Sequence, residues 1–385
     1  MIQKLVNYIN NLEQAGISLE YADVEALYLS VDKEIRENAA VLLLPLAAAN
    51  GVVYGMDSRG GIVPFAFSRI TEATSFDKDN KLVIVPSGMP RIDHGNYSND
   101  AKLLIEKSST NLLADSNLES NFNESGTTTS SKIDIDWFNF LTKAANLYKP
   151  SEVQNYSYLY KNLTYNQDGQ YIMSFYMRTA SGETPKITNA YATSDVKVSV
   201  RNGSSVNPTL YDSVDGSTFR VSGTQNIVGT PNTGGAGAAK RYDNLDGNVY
   251  VSGYQLEPGL EMTSYIPTYD SAATRSADIL TFDLQQACSV YLKTTKQETI
   301  FARQKGLWSV HEELNNEGIL VMALFPENSL NAVLIEKGNV SRSVGKALSS
   351  ITIDRELYRQ TNIERKLSAL NIDKEDTGQN LVMFL

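Results

Sequence analysis

Residues 168–178, DGQYIMSFYMR, read as a tight turn feeding a β-strand. Asp168-Gly169 favours the turn because glycine accepts positive φ, and the apolar, aromatic run over 171–178 suits a packed sheet. Working outward, further strand candidates lie at 133–138, 156–160, 196–201, 218–222 and 248–256, with Asp215-Gly216 and Asp246-Gly247 as additional turns. Many short strands between regular turns, over about residues 111–283, predict a two-sheet β-sandwich. Within it, 229–239 (GTPNTGGAGAA) is expected to be a flexible loop with little to bury.

The flanks read differently. In residues 1–50, Ile2, Leu5, Val6, Ile9 and Leu12 recur at helical spacing before Gly16, a C-terminal stop. Ser18 is the expected N-cap of a second helix, on which Tyr21, Val24, Tyr28, Val31 and Ile35 form one stripe. That stripe can pack within the chain as a helical hairpin or serve as an oligomerisation and docking segment. The apolar run 39–49 is too short to cross a bilayer, which takes about 20 residues, and reads as a buried helix end or packed strand. Residues 51–110 are glycine-punctuated, with short β-like runs at 81–86 and 102–105, and suggest an extended β arm. Residues 286–385 mix strand-like runs with a helical pattern over 354–372, as expected of a small α+β interaction module.

Composition narrows the function. With 34 basic and 44 acidic residues the net charge is −10, which argues against a nucleic-acid partner. One cysteine, Cys288, excludes an intramolecular disulfide and is expected to be a small buried residue beside Val290. Two histidines, His94 and His311, leave little material for zinc or for proton relays. His311 is followed by Glu312 and Glu313, but Asn315 stands where H-E-x-x-H needs its second histidine. His94, in a Pro- and Gly-bounded turn, reads as a capping or solvent-facing residue. No phosphate-binding glycine motif stands in a strand-to-helix context. The expectation is therefore no catalytic residue, no cofactor and no metal. The first residues, MIQKLVNYINNLEQ, lack the apolar stretch of a secretory leader, so a soluble chain made in a reducing cytoplasm is expected, without membrane insertion.

The binding candidates are aromatic. Tyr156, Tyr158 and Tyr160 share one face of a strand, and with Trp137 they are candidate glycan contacts, since aromatic faces stack on sugar C–H surfaces. The plainer reading is a structural one, with the tyrosine stripe facing into the sandwich and Trp137 in its core. Asp115, Glu119, Asp134 and Asp136 could supply hard oxygen ligands to calcium but lack EF-hand spacing, and the plainer reading is exposed carboxylates.

Two segments carry a family resemblance. In the first, Arg69, Thr71, Ala73 and Thr74 fit R-x-T-x-A-T; Pro90, Arg91 and Asp93 fit P-R-x-D; residues 103–106 and 110–113 give LLIE and TNLL. In the second, 255–257 (QLE), Gly259, 263–268 (TSYIPT), Thr274, Arg275, Ala277 and Asp278 follow in order. This pairing, over about residues 65–285, resembles a broad set of bacteriophage virion and prophage proteins, although His94 stands where the set usually has an aromatic residue. The resemblance implies a carbohydrate-binding-module-like jelly roll between the two brackets. It further implies a structural virion component: a head fibre, tail fibre or capsid-decorating appendage, usually a homotrimer, bound to other capsid or tail proteins and taking part in host attachment through a host-surface glycan.

The combined expectation is a mainly β protein with an N-terminal α-helical segment (1–50), an extended β arm (51–110), a jelly-roll-like β-sandwich (111–285) and a C-terminal α+β module (286–385). It is expected in the virion, made in the bacterial host cytoplasm. The alternatives are a virion-associated glycan depolymerase and an assembly adaptor absent from the mature particle.

Overall fold

The structure is a computed structural model. It describes residues 2–353 apart from 96–100, 120–121, 127–131, 139–140, 148–155, 190–193, 202–205, 212, 214, 242–247, 296–297, 304, 311–313, 315–316, 327–339 and 342–349. The protein is mainly β, with helices confined to its N-terminal segment among the described residues. The helical pattern expected over 354–372 and His311 lie outside the described residues.

Helix Ile2–Gln14 stops at Gly16, whose φ of +82° is a conformation that glycine adopts at low cost. The second helix, Tyr21–Ser30, has Glu20 rather than Ser18 at its N-cap, and a short third turn of helix covers Lys33–Asn38. Leu5, Tyr8 and Leu12 of the first helix meet Val24, Tyr28, Val31 and Ile35, and all pack on Leu42, Met56, Tyr291 and Phe325 of a sheet. The apolar stripe expected to be available for oligomerisation is therefore used inside the chain. Strands from residues 42–56 and 291–325 supply enough apolar surface to bury it, and the hydrophobic effect favours that contact regardless of partner. Tyr8 adds a polar tie, its hydroxyl donating to the Tyr54 carbonyl at 2.7 Å.

The sheet beneath the helices joins the two ends of the chain. Its strands run in the order Gly306–Ser309, Ile279–Leu284, Ile62–Ser68, Val52–Asp57, Val41–Leu43, Glu317–Pro326, Cys288–Thr294, Glu298–Arg303, with further strands beyond and Lys102–Ile105 branching from Glu317–Pro326. Strands Val52–Asp57, Ile62–Ser68 and Lys102–Ile105 of the expected arm are thus woven into this sheet rather than extended. The strands of 286–326 belong to that same sheet rather than to a separate module. The alternation explains this: Leu42, Tyr291 and Phe325 face the helices, while Leu43, Val53, Phe65, Val290, Leu292 and Met322 face a second core on the other side. Cys288 is buried in that second core.

Between these halves lies the expected sandwich. One sheet is ordered Asn123–Gly126, Tyr156–Tyr165, Asn232–Arg241, Lys197–Ser199; the other Lys132–Trp137, Leu141–Leu147, Val249–Pro258, Gly169–Thr179, Phe219–Ile227, Val206–Leu210. Leu159, Phe175, Val198, Val221, Ala236 and Val251 meet between them. The pairing is nested: an early strand (Leu141–Leu147) lies beside the last (Val249–Pro258), and the next (Tyr156–Tyr165) lies beside the last but one (Asn232–Arg241). That antiparallel nesting is jelly-roll topology.

Residues 229–239, expected as a flexible loop, are largely strand. Asn232–Arg241 pairs with Tyr156–Tyr165 along its whole length, from Tyr156↔Arg241 to Tyr165↔Asn232. Its small residues are required by close approach, since a Cβ on Gly237 would lie 2.0 Å from the Leu159 carbonyl oxygen. The turn ahead of it is tied by Asp168, whose carboxylate accepts from the backbone N–H of Gly229 and Thr230. Leu12→Ala should lower stability by about 2–5 kcal/mol, because Leu12 is fully buried between helix and sheet. Chemical denaturation read by far-UV circular dichroism checks this, with an unchanged midpoint contradicting the packing described.

Candidate functional site

Register decides where the aromatic candidates point. Leu159 is buried in the sandwich core, so its neighbours Tyr158 and Tyr160 stand on the outer face of the four-stranded sheet. They do not form the inward stripe expected. Tyr156 opens the same strand; its side chain lies outside the described residues. The rings of Tyr158 and Tyr160 are stacked, centroids 4.3 Å apart and planes 17° apart. They lean over the glycine strand, where a Cβ on Gly235 would meet the Tyr160 ring at 2.3 Å. The Tyr158 hydroxyl donates to the Gly235 carbonyl at 2.7 Å and lies 2.9 Å from Ser199 Oγ. Both tyrosines are half-buried, and exposed Asn123, Asn162, Thr164 and Thr233 share their face of the sheet. The result is a fixed aromatic surface bordered by amide and hydroxyl groups.

Trp137 belongs elsewhere. It is on the other sheet and is 4% exposed, so it offers no face to a ligand. It packs with Phe76, Leu82, Phe138, Leu141, Tyr176 and Tyr265, with the Arg178 guanidinium 4.9 Å from its ring centre. Phe76 and Leu82 come from the hairpin Ala73–Phe76/Leu82–Val85, which covers the outer face of the six-stranded sheet. Trp137 thus sits under that hairpin rather than in the sandwich core. The carboxylate candidates do not converge. Asp134 is exposed and pairs with Lys143; Asp115 is buried and caps the Glu119 N–H; Glu119 accepts from Thr142. Among the described residues no group of three or more His, Cys, Asp or Glu is placed to hold a metal ion.

The bracketing segments do converge, in a buried junction where the sandwich meets the large sheet. Asp278 lies just ahead of strand Ile279–Leu284 and is fully buried. Its carboxylate accepts from Arg69 Nη1 at 3.0 Å, from Arg91 Nη2, from Arg275 Nη1 at 3.5 Å and from the Glu106 N–H at 3.0 Å. Glu106 in turn accepts from Arg91 Nη2 and from both the N–H and the hydroxyl of Ser264, each at 2.7 Å. Burial alone would raise the Glu106 pKa. Arg275, Arg91 and the Ser264 hydrogen bond outweigh it and hold the carboxyl well below the usual carboxylate range. For Arg91 burial is likewise outweighed, by Asp278 and Glu106, which raise its pKa. For Arg69 burial prevails over Asp278 and lowers it.

Around this centre the remaining motif residues fasten the sandwich. Asn111 Nδ2 donates to the Tyr254 and Ile266 carbonyls while its Oδ1 accepts from the N–H of Leu113 and Leu256. Glu257 accepts from Ser109 Oγ and Thr263 Oγ1. Arg220, outside the motifs, donates to the Thr263 carbonyl and to Ser174 Oγ. Asp93 ties in the hairpin, accepting the Phe76 N–H and pairing with buried Lys102 at 2.9 Å. His94 is half-buried, its backbone N–H donating to the Phe76 carbonyl. Most of these groups' hydrogen bonds are to one another or to nearby backbone, which ties the sandwich to the large sheet.

Sequence reading missed Ser199, Gly235 and Gly237 of the tyrosine face, although the alternation of small residues in GGAGAA is a signal for a strand lying beneath large rings. It also missed Arg220, which nothing local distinguishes. No known protein-family model matches the chain, and a comparison with curated proteins finds no match.

Asp278→Asn should destabilise the protein by about 3–5 kcal/mol, because it leaves buried guanidinium charge without its counter-ion; urea denaturation at pH 7 checks this. The pH dependence has a defined sign. A carboxyl with a depressed folded pKa contributes stability above its unfolded value, about 4.3, and loses it as pH falls towards the folded value. The stability difference between wild type and Glu106→Gln should therefore be constant from pH 8 to 5 and shrink below about pH 4. A difference that already shrinks between pH 7 and 5 would contradict the assignment. Gly237→Ala should cost about 1–3 kcal/mol, read as a lowered melting temperature, since the contact it makes is with backbone.

Proposed function

We propose that this chain is a structural component of a bacteriophage particle, a head or tail fibre or related appendage that displays a jelly-roll domain. The observation carrying the proposal is that the residues bearing the resemblance, Arg69, Arg91, Glu106, Asn111, Glu257, Arg275 and Asp278 among them, are buried in one junction between the sandwich and the large sheet. Such a signature belongs to a scaffold that holds a domain in a fixed orientation. The role is geometric: the large sheet and its helices attach to other capsid or tail proteins, three copies associate, and the sandwich faces the surroundings. In this reading no group transfer is required of the chain.

The stacked Tyr158–Tyr160 surface supports host attachment through a surface glycan. Rings held in place lose little entropy on binding, and neighbouring Asn123, Asn162 and Thr164 offer the donors and acceptors that sugar hydroxyls need.

Location tests the main reading. Antibody labelling of purified particles in the electron microscope, with a copy count, should place the protein on capsid or tail at a multiple of three. Absence from intact particles would overturn it. For the tyrosine face, Tyr158→Ala with Tyr160→Ala should weaken binding to purified host surface polysaccharide at least tenfold while the melting transition stays cooperative. Unchanged binding by the folded double variant would remove the glycan role and leave the particle assignment standing.

A further inference from the structure

The sandwich is an insertion, and its two ends leave it together. Strand Ser109–Asn111, entering, pairs antiparallel with Ala273–Arg275, leaving, through Ser109↔Arg275, Thr110↔Thr274 and Asn111↔Ala273. This two-stranded neck is fastened to the sandwich. Asn111 holds the backbone of Tyr254 and Leu256, the Leu112 N–H donates to the Leu256 carbonyl, and Glu257 accepts the Ser109 hydroxyl. It is also where the large sheet begins. The Asp278 N–H donates to the Glu106 carbonyl at 2.9 Å, and Ile279↔Ser68 opens the first ladder that joins the chain's two halves.

From this topology we infer that the protein folds in a fixed order, in which the sandwich must form before the large sheet can, so that only chains with a folded display domain complete the sheet. The large sheet needs contacts between residues before 106 and residues after 278, separated by the whole insertion. Closing a flexible loop of about 160 residues is disfavoured relative to closing one of about six by a factor near n to the power 3/2, which is roughly a hundredfold. A folded sandwich removes that factor by holding Asn111 beside Ala273. It also completes the charged centre, since Ser264 supplies Glu106 with two of its hydrogen bonds and Arg91 with another. Without the sandwich Glu106 loses both Ser264 hydrogen bonds and Arg91 loses one, and the large sheet would close over those charged groups at a loss. The sandwich leans on the large sheet less: the Leu159, Phe175 and Val221 core is built from residues of the insertion itself, no described residue of the large sheet enters it, and the hairpin carrying Phe76 and Leu82 adds only to its outer face. The inference stands independently of the particle assignment, and it gives such a protein a checkpoint: surfaces of the large sheet reach assembly only on chains ready to display.

Amide hydrogen exchange on full-length variants tests the order. Leu159→Asp, in the sandwich core, should abolish protection both in Phe219–Ile227 and in the large-sheet strands Cys288–Thr294 and Val52–Asp57. Leu292→Asp, in the large-sheet core, should abolish protection in the large sheet alone. Asn111→Ala, a milder change at the neck, keeps the test informative should Leu159→Asp precipitate. It should raise exchange in Cys288–Thr294 by up to about a hundredfold while Phe219–Ile227, whose core Asn111 does not enter, stays protected. Protected large-sheet strands in Leu159→Asp, wild-type exchange throughout Asn111→Ala, or loss of the sandwich in Leu292→Asp would each overturn the order.

Discussion

One buried carboxylate, Asp278, organises the molecule. It lies out of water among Arg69, Arg91 and Arg275, and a charge in that position is tolerable only when it is fully paired. The requirement spreads. Three guanidinium groups need further acceptors, which the Thr71, Thr74, Val85, Pro86 and Lys107 carbonyls and Glu106 provide, and Glu106 then draws in Ser264 from the sandwich. Loops from four parts of the chain are fixed by one electrostatic condition. Apolar packing alone is non-directional and could leave the sandwich at many angles; hydrogen-bonded charges select one.

The joint leaves the rest of the sandwich free to serve other purposes. Its six-stranded sheet is covered by the hairpin carrying Phe76 and Leu82, while the four-stranded sheet carries Tyr158 and Tyr160 outward. That outer face is shaped by a trade between neighbours: Gly235 gives up a side chain so that the tyrosine rings can lie across it, and Gly237 gives one up so that the Leu159 backbone can approach. A strand of glycine and alanine contributes little β propensity of its own and exists because ten backbone pairs and the rings above hold it. Function on this reading is a matter of presentation, with the aromatic face held rigidly to a base that also carries the helices.

Much of this was legible in the sequence where the pattern is local. The N-terminal helix with its Gly16 stop, the strand over 171–178, and the turn at Asp215-Gly216 follow from periodicity and glycine chemistry, and the structure has them, the strand running Gly169–Thr179. The bracketing motifs also identified the residues that meet at the joint, although not what they do there. What sequence left hidden depends on register and distance. Whether Tyr158 or Leu159 faces inward is a one-residue choice that only the partner strand settles. Whether Val24 faces another subunit or Phe325 of the same chain depends on residues 300 positions away. The strand at Asn232–Arg241 defied its composition because tertiary contacts overrode propensity. Residues 51–110 looked like an arm because the strands that tie Ile62–Ser68 and Lys102–Ile105 into the large sheet lie beyond residue 278.

The central claim is that the motif residues form a structural joint, and a double-mutant cycle across it tests this most directly. Glu106 belongs to the large-sheet side and Ser264 to the sandwich, with two hydrogen bonds of 2.7 Å between them. Stabilities of wild type, Glu106→Gln, Ser264→Ala and the double variant, measured by urea denaturation, give the coupling. The account predicts a coupling of about 1 kcal/mol or more. Effects that add within about 0.3 kcal/mol would mean that the two sides do not depend on each other there, and would contradict it.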